Sequence, residues 1–124
     1  MSGQIRRFED LIAWQKAREL TKGIYGITNQ GPFGKDFALK DQIRHACISI
    51  MSNIAEGFER SRPKEFHQFL SISKCSCGEL RSQLYIALDA AHIDEGIFCH
   101  HLALAEETSR IINGLRASVK RSLR

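Results

Sequence analysis

Apolar and small residues in this chain recur at steps of three and four through four successive segments, and that period specifies helices rather than strands. The first stripe is Leu11, Trp14, Ala17, Thr21, Ile24 and Thr28. The second is Leu39, Ile43, Cys47, Ile50, Ile54 and Phe58. Phe66, Phe69, Leu70, Cys77, Leu80, Leu84, Leu88 and Ala91 make the third, and Phe98, Leu102, Ala105, Ile112, Leu115 and Val119 the fourth. No segment alternates with the period of two that a half-buried strand requires.

The breaks between stripes carry matching chemistry. The run NQGPFG at residues 29–34 combines two glycines with a proline, which stops a helix and turns the chain. Ser61 can cap the helix that opens at Pro63, where a first-turn proline loses no hydrogen bond. Asp94 is placed to cap the last helix, with Glu95 near its positive end. The reading is one all-α domain over residues 1–124, with helices at about 7–28, 36–59, 62–91 and 94–121. Short connections imply an antiparallel up-down-up-down four-helix bundle, roughly 30 to 40 Å long. Both termini should then share one end.

At 124 residues a chain can bury roughly two-thirds of its unfolded surface, enough for one core. No apolar run approaches the ~18 residues of a membrane span, and MSGQIRRFED lacks the apolar centre of a signal peptide, so a cytoplasmic location without membrane contact is expected. Cys47, Cys75, Cys77 and Cys99 are unevenly spaced within amphipathic patterns, which favours reduced thiols.

The segment SIMSNIAEGFERSRPKEFHQFL, residues 49–70, raises the question of catalysis. Glu56 and Arg60 have the spacing of a helical ion pair, but no neighbouring histidine or carboxylate completes an acid/base set. Gly57 interrupts no stripe, because Phe58 continues the register of Ile50 and Ile54. It either lets two helices approach closely or ends its helix in the left-handed conformation. Cys75 and Cys77 point about 200° apart on a helix and cannot chelate one ion, and Cys99, His100 and His101 also diverge. The expected reading for Cys47, Cys77 and Cys99 is small core residues, with partly exposed histidines. Neither an enzyme nor a metal or cofactor is expected; a site assembled across helices from the cysteines and histidines is the least favoured alternative.

Charge points elsewhere. The formal net charge is +4, and residues 108–124 hold Arg110, Arg116, Lys120, Arg121 and Arg124 with no acid. Arg6 and Arg7 add charge at the other terminus, while Arg44, Arg60, Arg62 and Lys64 lie on the second helix and the corner after it. Such residues can contact phosphates of RNA or DNA without reading bases, giving salt-sensitive binding of low sequence specificity. The alternative is a structural module that binds a protein partner and carries charge for solubility. Apolar residues on more than one side of the third helix, including Ile72 and Ile86, favour self-association, for which Trp14 and Tyr25 are candidate anchors.

A resemblance adds to this. FEDLIAWQKARELTKGIYGIT, QIRHACISIMSNIAEGFERS, KEFHQFLSIS and LAEETSRIINGLRASVK resemble the four-helix-bundle proteins encoded by intervening sequences of bacterial 23S ribosomal RNA. Those are similar in turn to accessory proteins of diversity-generating retroelements. The most specific piece runs S-N-I-A-E-G, a basic turn, then K-E-F-x-x-F-L, which marks Asn53, Glu56, Gly57, Phe66 and Phe69 as motif positions. The resemblance implies a homo-oligomer, commonly a homopentamer, with a nucleic-acid-binding role and, for the retroelement relatives, a reverse transcriptase partner. The basic position after Q-I is Arg44 here, while the second basic residue usual beside it is replaced by His45, which trims positive charge. Cys75-Ser76-Cys77-Gly78 stands where a small G-S patch is common.

Overall fold

The computed structural model describes residues 4–123, and its regular elements are all helical, with no strand among the described residues. A single 3-10 turn, Phe8–Asp10, leads into α1 (Ile12–Thr28), followed by α2 (Gly31–Lys35), α3 (Phe37–Glu59), α4 (Pro63–Asp89) and α5 (Glu95–Arg121). Among the described residues no helix is long and apolar enough to cross a membrane.

Four long helices line one core. α3 packs most extensively on α4 and α4 on α5, while α1 packs on both α3 and α5. Leu20, Ile24, Ile43, Ile50, Ile54, Leu70, Leu80, Leu84 and Ile112 are completely enclosed. Burying one such aliphatic side chain stabilises the fold by about 1.5–3 kcal/mol. The α3/α4 seam is also stitched by small polar groups. Ser73 donates to the Ile50 carbonyl at 2.9 Å, and the Ser49 and Ser76 hydroxyls meet at 2.9 Å. Asn53 donates back to the Ser49 carbonyl at 2.8 Å.

The local structure departs from the sequence reading at several points. The helix expected from residue 7 begins at Ile12, because Leu11 is extended and Asp10 draws in the Arg6 and Arg7 backbone N–H groups, each at 3.1 Å. NQGPFG does turn the chain, but winds one helical turn as it does so, with Phe33 completely buried and its ring 5.0 Å from that of His92. Asp36 caps α3 by accepting from the Leu39 N–H at 3.2 Å and also meets His92 Nε2 at 2.9 Å.

Ser61 does not cap α4. Arg62 occupies that position without a side-chain cap bond, and Ser61 has φ +58°. The cause is Pro63, which holds the residue before it extended. With α3 helical through Glu59, Ser61 takes the left-handed conformation that reverses the chain, a role glycine usually fills. α4 ends at Asp89 rather than 91. Ala91, at φ +61°, sits beyond it while the His92 N–H reaches the Ala87 carbonyl and the Ala91 N–H the Leu88 carbonyl, each at 2.9 Å. Cys99 is exposed rather than in the core, and His101 is buried with Nδ1 2.7 Å from the Ile97 carbonyl oxygen.

Gly57 is buried inside α3, with no positive φ. A Cβ placed on it would lie 2.6 Å from the Phe69 Cβ and 3.1 Å from the Phe66 Cδ1. Close helix approach is therefore its role, and the left-handed alternative is excluded. The motif aromatics Phe66 and Phe69 pack where the glycine leaves room.

Candidate nucleic-acid interface

Three stretches distant in sequence meet at one end of the molecule. Arg6 from the N-terminal segment, Ser61, Arg62 and Pro63 from the α3–α4 corner, and Val119 and Ser122 from the end of α5 line a single groove of about 360 Å³. Gly57, Phe58, Glu59 and Phe66 complete its walls.

Each cation is positioned by ordinary helix-end chemistry. Asp10 fixes the Arg6–Arg7 backbone, and those two N–H bonds hold its carboxyl below the usual carboxylate range. Arg7 makes a long ion pair with the same acid, 3.9 Å. At the corner Arg60 joins Glu56 at 3.2 Å and Glu65 at 3.3 Å, and its guanidinium carbon lies 5.1 Å from the centre of the Phe69 ring. Arg62 reaches the other Glu65 oxygen at 3.6 Å. Lys120 and Arg121 extend from the last turn of α5, where positive charge complements the negative end of the helix dipole. Among the described residues Arg6, Lys64, Lys120 and Arg121 are exposed and have no ion-pair partner.

Other residues singled out by charge lie elsewhere. Arg44 is about 22 Å along α3 from the corner. There its Nε donates to the Thr28 hydroxyl and its Nη2 to Asn29 Oδ1, both at 2.8 Å, and its guanidinium carbon lies 4.2 Å from the centre of the Tyr25 ring. It closes the C-terminal end of α1, whose last carbonyls lack helical partners. Arg116 donates through Nε to the Ser71 hydroxyl at 2.8 Å and so ties α5 to α4. Arg110 is exposed about 16 Å up α5 from Arg121. Arg124 lies outside the described residues.

The two buried thiols offer little reactive chemistry. Burial pushes the Cys47 and Cys77 thiols up to about 12, so both stay protonated at neutral pH. Cys75 and Cys99 are exposed, and among the described residues no three His, Cys, Asp or Glu side chains converge in a way that could hold a metal ion.

Sequence reasoning did not reach the partners of these cations. Glu65, three residues after Arg62, is a readable helical pair. Nothing local in the sequence pairs Arg116 with Ser71, Arg44 with Thr28 or His92 with Asp36, because those contacts depend on which helix ends meet.

The model of the 23S rRNA-intervening sequence proteins matches residues 9–114. The chain belongs to that family. No curated protein matches it. Among solved structures, a protein of unknown function from the S23 ribosomal protein family of Bacteroides thetaiotaomicron superposes with a TM-score of 0.76 at 18% identity, covering 85% of this chain and 98% of that one. At that identity the likeness speaks for the fold.

Proposed function

We propose that this member of the 23S rRNA-intervening sequence family is a non-enzymatic protein that binds nucleic acid through the end where the segment around Arg6, the end of α5 and the α3–α4 corner meet. The observation that carries the reading is the meeting of Arg6, Arg62 and the end of α5 on one groove, with Lys64 on the adjoining turn. Acids consume part of the charge, since Glu56, Glu65 and Asp10 each engage an arginine. Arg6, Lys64, Lys120 and Arg121 are left to meet phosphates, which suits contact without base readout.

The test is fluorescence anisotropy of nuclease-treated protein with structured RNA and duplex DNA across a salt series. Binding should weaken steeply with salt. Replacing Lys64, Lys120 and Arg121 by glutamine should flatten the slope of log K against log salt by about 2 to 3, near 0.9 per lost phosphate contact on duplex DNA. Absence of binding at low salt refutes the reading.

The same proposal includes an antiparallel up-down-up-down bundle that self-associates. Arg6 and Ser122 line one groove, while the α2–α3 and α4–α5 connections meet through Asp36 and His92. Ile72 and Ile86, two heptads apart on α4, are about half exposed (48% and 51%), with Glu79 exposed midway between them on the same side of the helix, and are the apolar residues on which self-association would draw. Association would multiply weak phosphate contacts into avidity. A monomeric mass by light scattering at micromolar concentration counts against it.

A further inference from the structure

We infer that the groove at the basic end takes one unpaired nucleotide of a nucleic-acid strand, with its base against the apolar wall and its phosphate at Arg6. The inference rests on the nucleic-acid reading above and names the kind of strand. Contact with duplex phosphates alone needs only an exposed basic surface. This end instead has a concavity of about 360 Å³, at the small end of the range for small-molecule sites.

Its lining combines two chemistries. Phe58, Phe66, Pro63 and Val119 supply apolar and aromatic surface, and the two phenylalanine rings meet edge to face with centroids 5.9 Å apart. Aromatic side chains hold unstacked bases of any sequence, because every base presents a π face. Arg6 and Arg62 are exposed at the same groove, and because Arg62 is paired with Glu65 at 3.6 Å, Arg6 is the cation at the groove without an ion-pair partner among the described residues. Among the described residues Glu59 is the one acid in the lining. A carboxylate repels phosphate but accepts hydrogen bonds from an exocyclic amino group, so it is compatible with the base and not with the phosphate. A fully paired duplex keeps its bases stacked and has no group to place in such a groove.

The experiment uses the full chain and two hairpins identical except for a single unpaired 2-aminopurine bulge, each made as RNA and as DNA. The wild type should bind the bulged form about tenfold tighter than the paired one, within the range set by base stacking on an aromatic side chain. The 2-aminopurine fluorescence should change on binding. Ser122→Trp fills the groove without removing a cation and should bring the bulged-to-paired ratio to about one. Phe66→Leu keeps apolar volume but removes the aromatic face, and should lower the ratio as well. Circular dichroism checks that each variant is folded, and if one is not, the other decides. A preference in either the RNA or the DNA arm supports the groove and identifies its sugar. Equal, salt-sensitive binding of bulged and paired hairpins by the wild type overturns the groove while leaving the basic end standing. Binding to neither overturns both.

Discussion

Replacing Gly57 by alanine tests the contact that sets the α3–α4 corner. In an ordinary helix interior the change is favourable by about 1 kcal/mol, because glycine has more backbone freedom to lose on folding. Here the new methyl group would sit 2.6 Å from the Phe69 Cβ, an atom fixed to the α4 backbone that no rotamer change can move. Restoring carbon–carbon contact near 3.6 Å needs a separation of about 1 Å between the two helices at this point. Overpacking of this kind costs about 1–3 kcal/mol, so the net effect is a destabilisation of about 1–2 kcal/mol at the upper part of that range. For a chain of this size that lowers Tm by about 4–8 °C. Gly78 is the control. It lies within α4, exposed, and a Cβ there would meet nothing within 4 Å, so Gly78→Ala should raise Tm by about 3–5 °C. Thermal melts of the three proteins at equal concentration decide the matter. If Gly57→Ala melts as high as Gly78→Ala, close approach is not what the glycine provides.

Three further perturbations follow from the same geometry. Ala91→Gly relieves a left-handed alanine at the end of α4 and should stabilise by about 0.5–1 kcal/mol, whereas Ala103→Gly, on the exposed face of α5, should destabilise by about as much; urea titration measures both. The hydrogen bond from His92, and next the Leu39 N–H, hold the Asp36 carboxyl below its ordinary value of 3.8. A depressed carboxylate stabilises above the unfolded pKa and ceases to as pH falls through the folded one, so wild type should exceed Asp36→Asn in Tm at pH 6 and the gap should close below about pH 4. Arg44→Ala and Arg116→Ala should each cost about 1–2 kcal/mol by removing interhelical hydrogen bonds, measured by urea unfolding, yet leave the salt slope of nucleic-acid binding unchanged.

What could be read in the sequence is whatever a single helix decides for itself. The stripe of Ile50, Ile54 and Phe58 keeps its register across Gly57, which is why a helix continuing through the glycine was among the readings open from sequence. Pairs such as Glu56 and Arg60 lie on one turn and need no knowledge of the rest of the fold. The reversals are different, because each depends on two constraints acting together. Ser61 has the chemistry of a cap, but the proline two residues later fixes Arg62 extended and leaves Ser61 to make the turn. Asp10 has the chemistry of a surface acid, but it draws in two preceding N–H groups and delays α1 to Ile12.

The cations show the same division most sharply. Residue type makes Arg44, Arg116 and Arg6 equivalent, and charge counting weights them equally as phosphate contacts. Position separates them. Arg44 and Arg116 spend their guanidinium groups on hydroxyls of other helices, at 2.8 Å in each case. Arg6 instead lines a groove with the corner and the end of α5. A guanidinium already held by several neutral acceptors still carries its charge, but reaching a phosphate would require it to give up bonds that join helices, and each such bond is worth about 1 kcal/mol. Among the described residues Arg6, Lys64, Lys120 and Arg121 are exposed and make no bond between helices that a phosphate contact would break. Under the proposed function the same arithmetic ranks Arg6, Lys64, Lys120 and Arg121 ahead of Arg44 and Arg116 as candidate phosphate contacts, a ranking that net charge cannot supply.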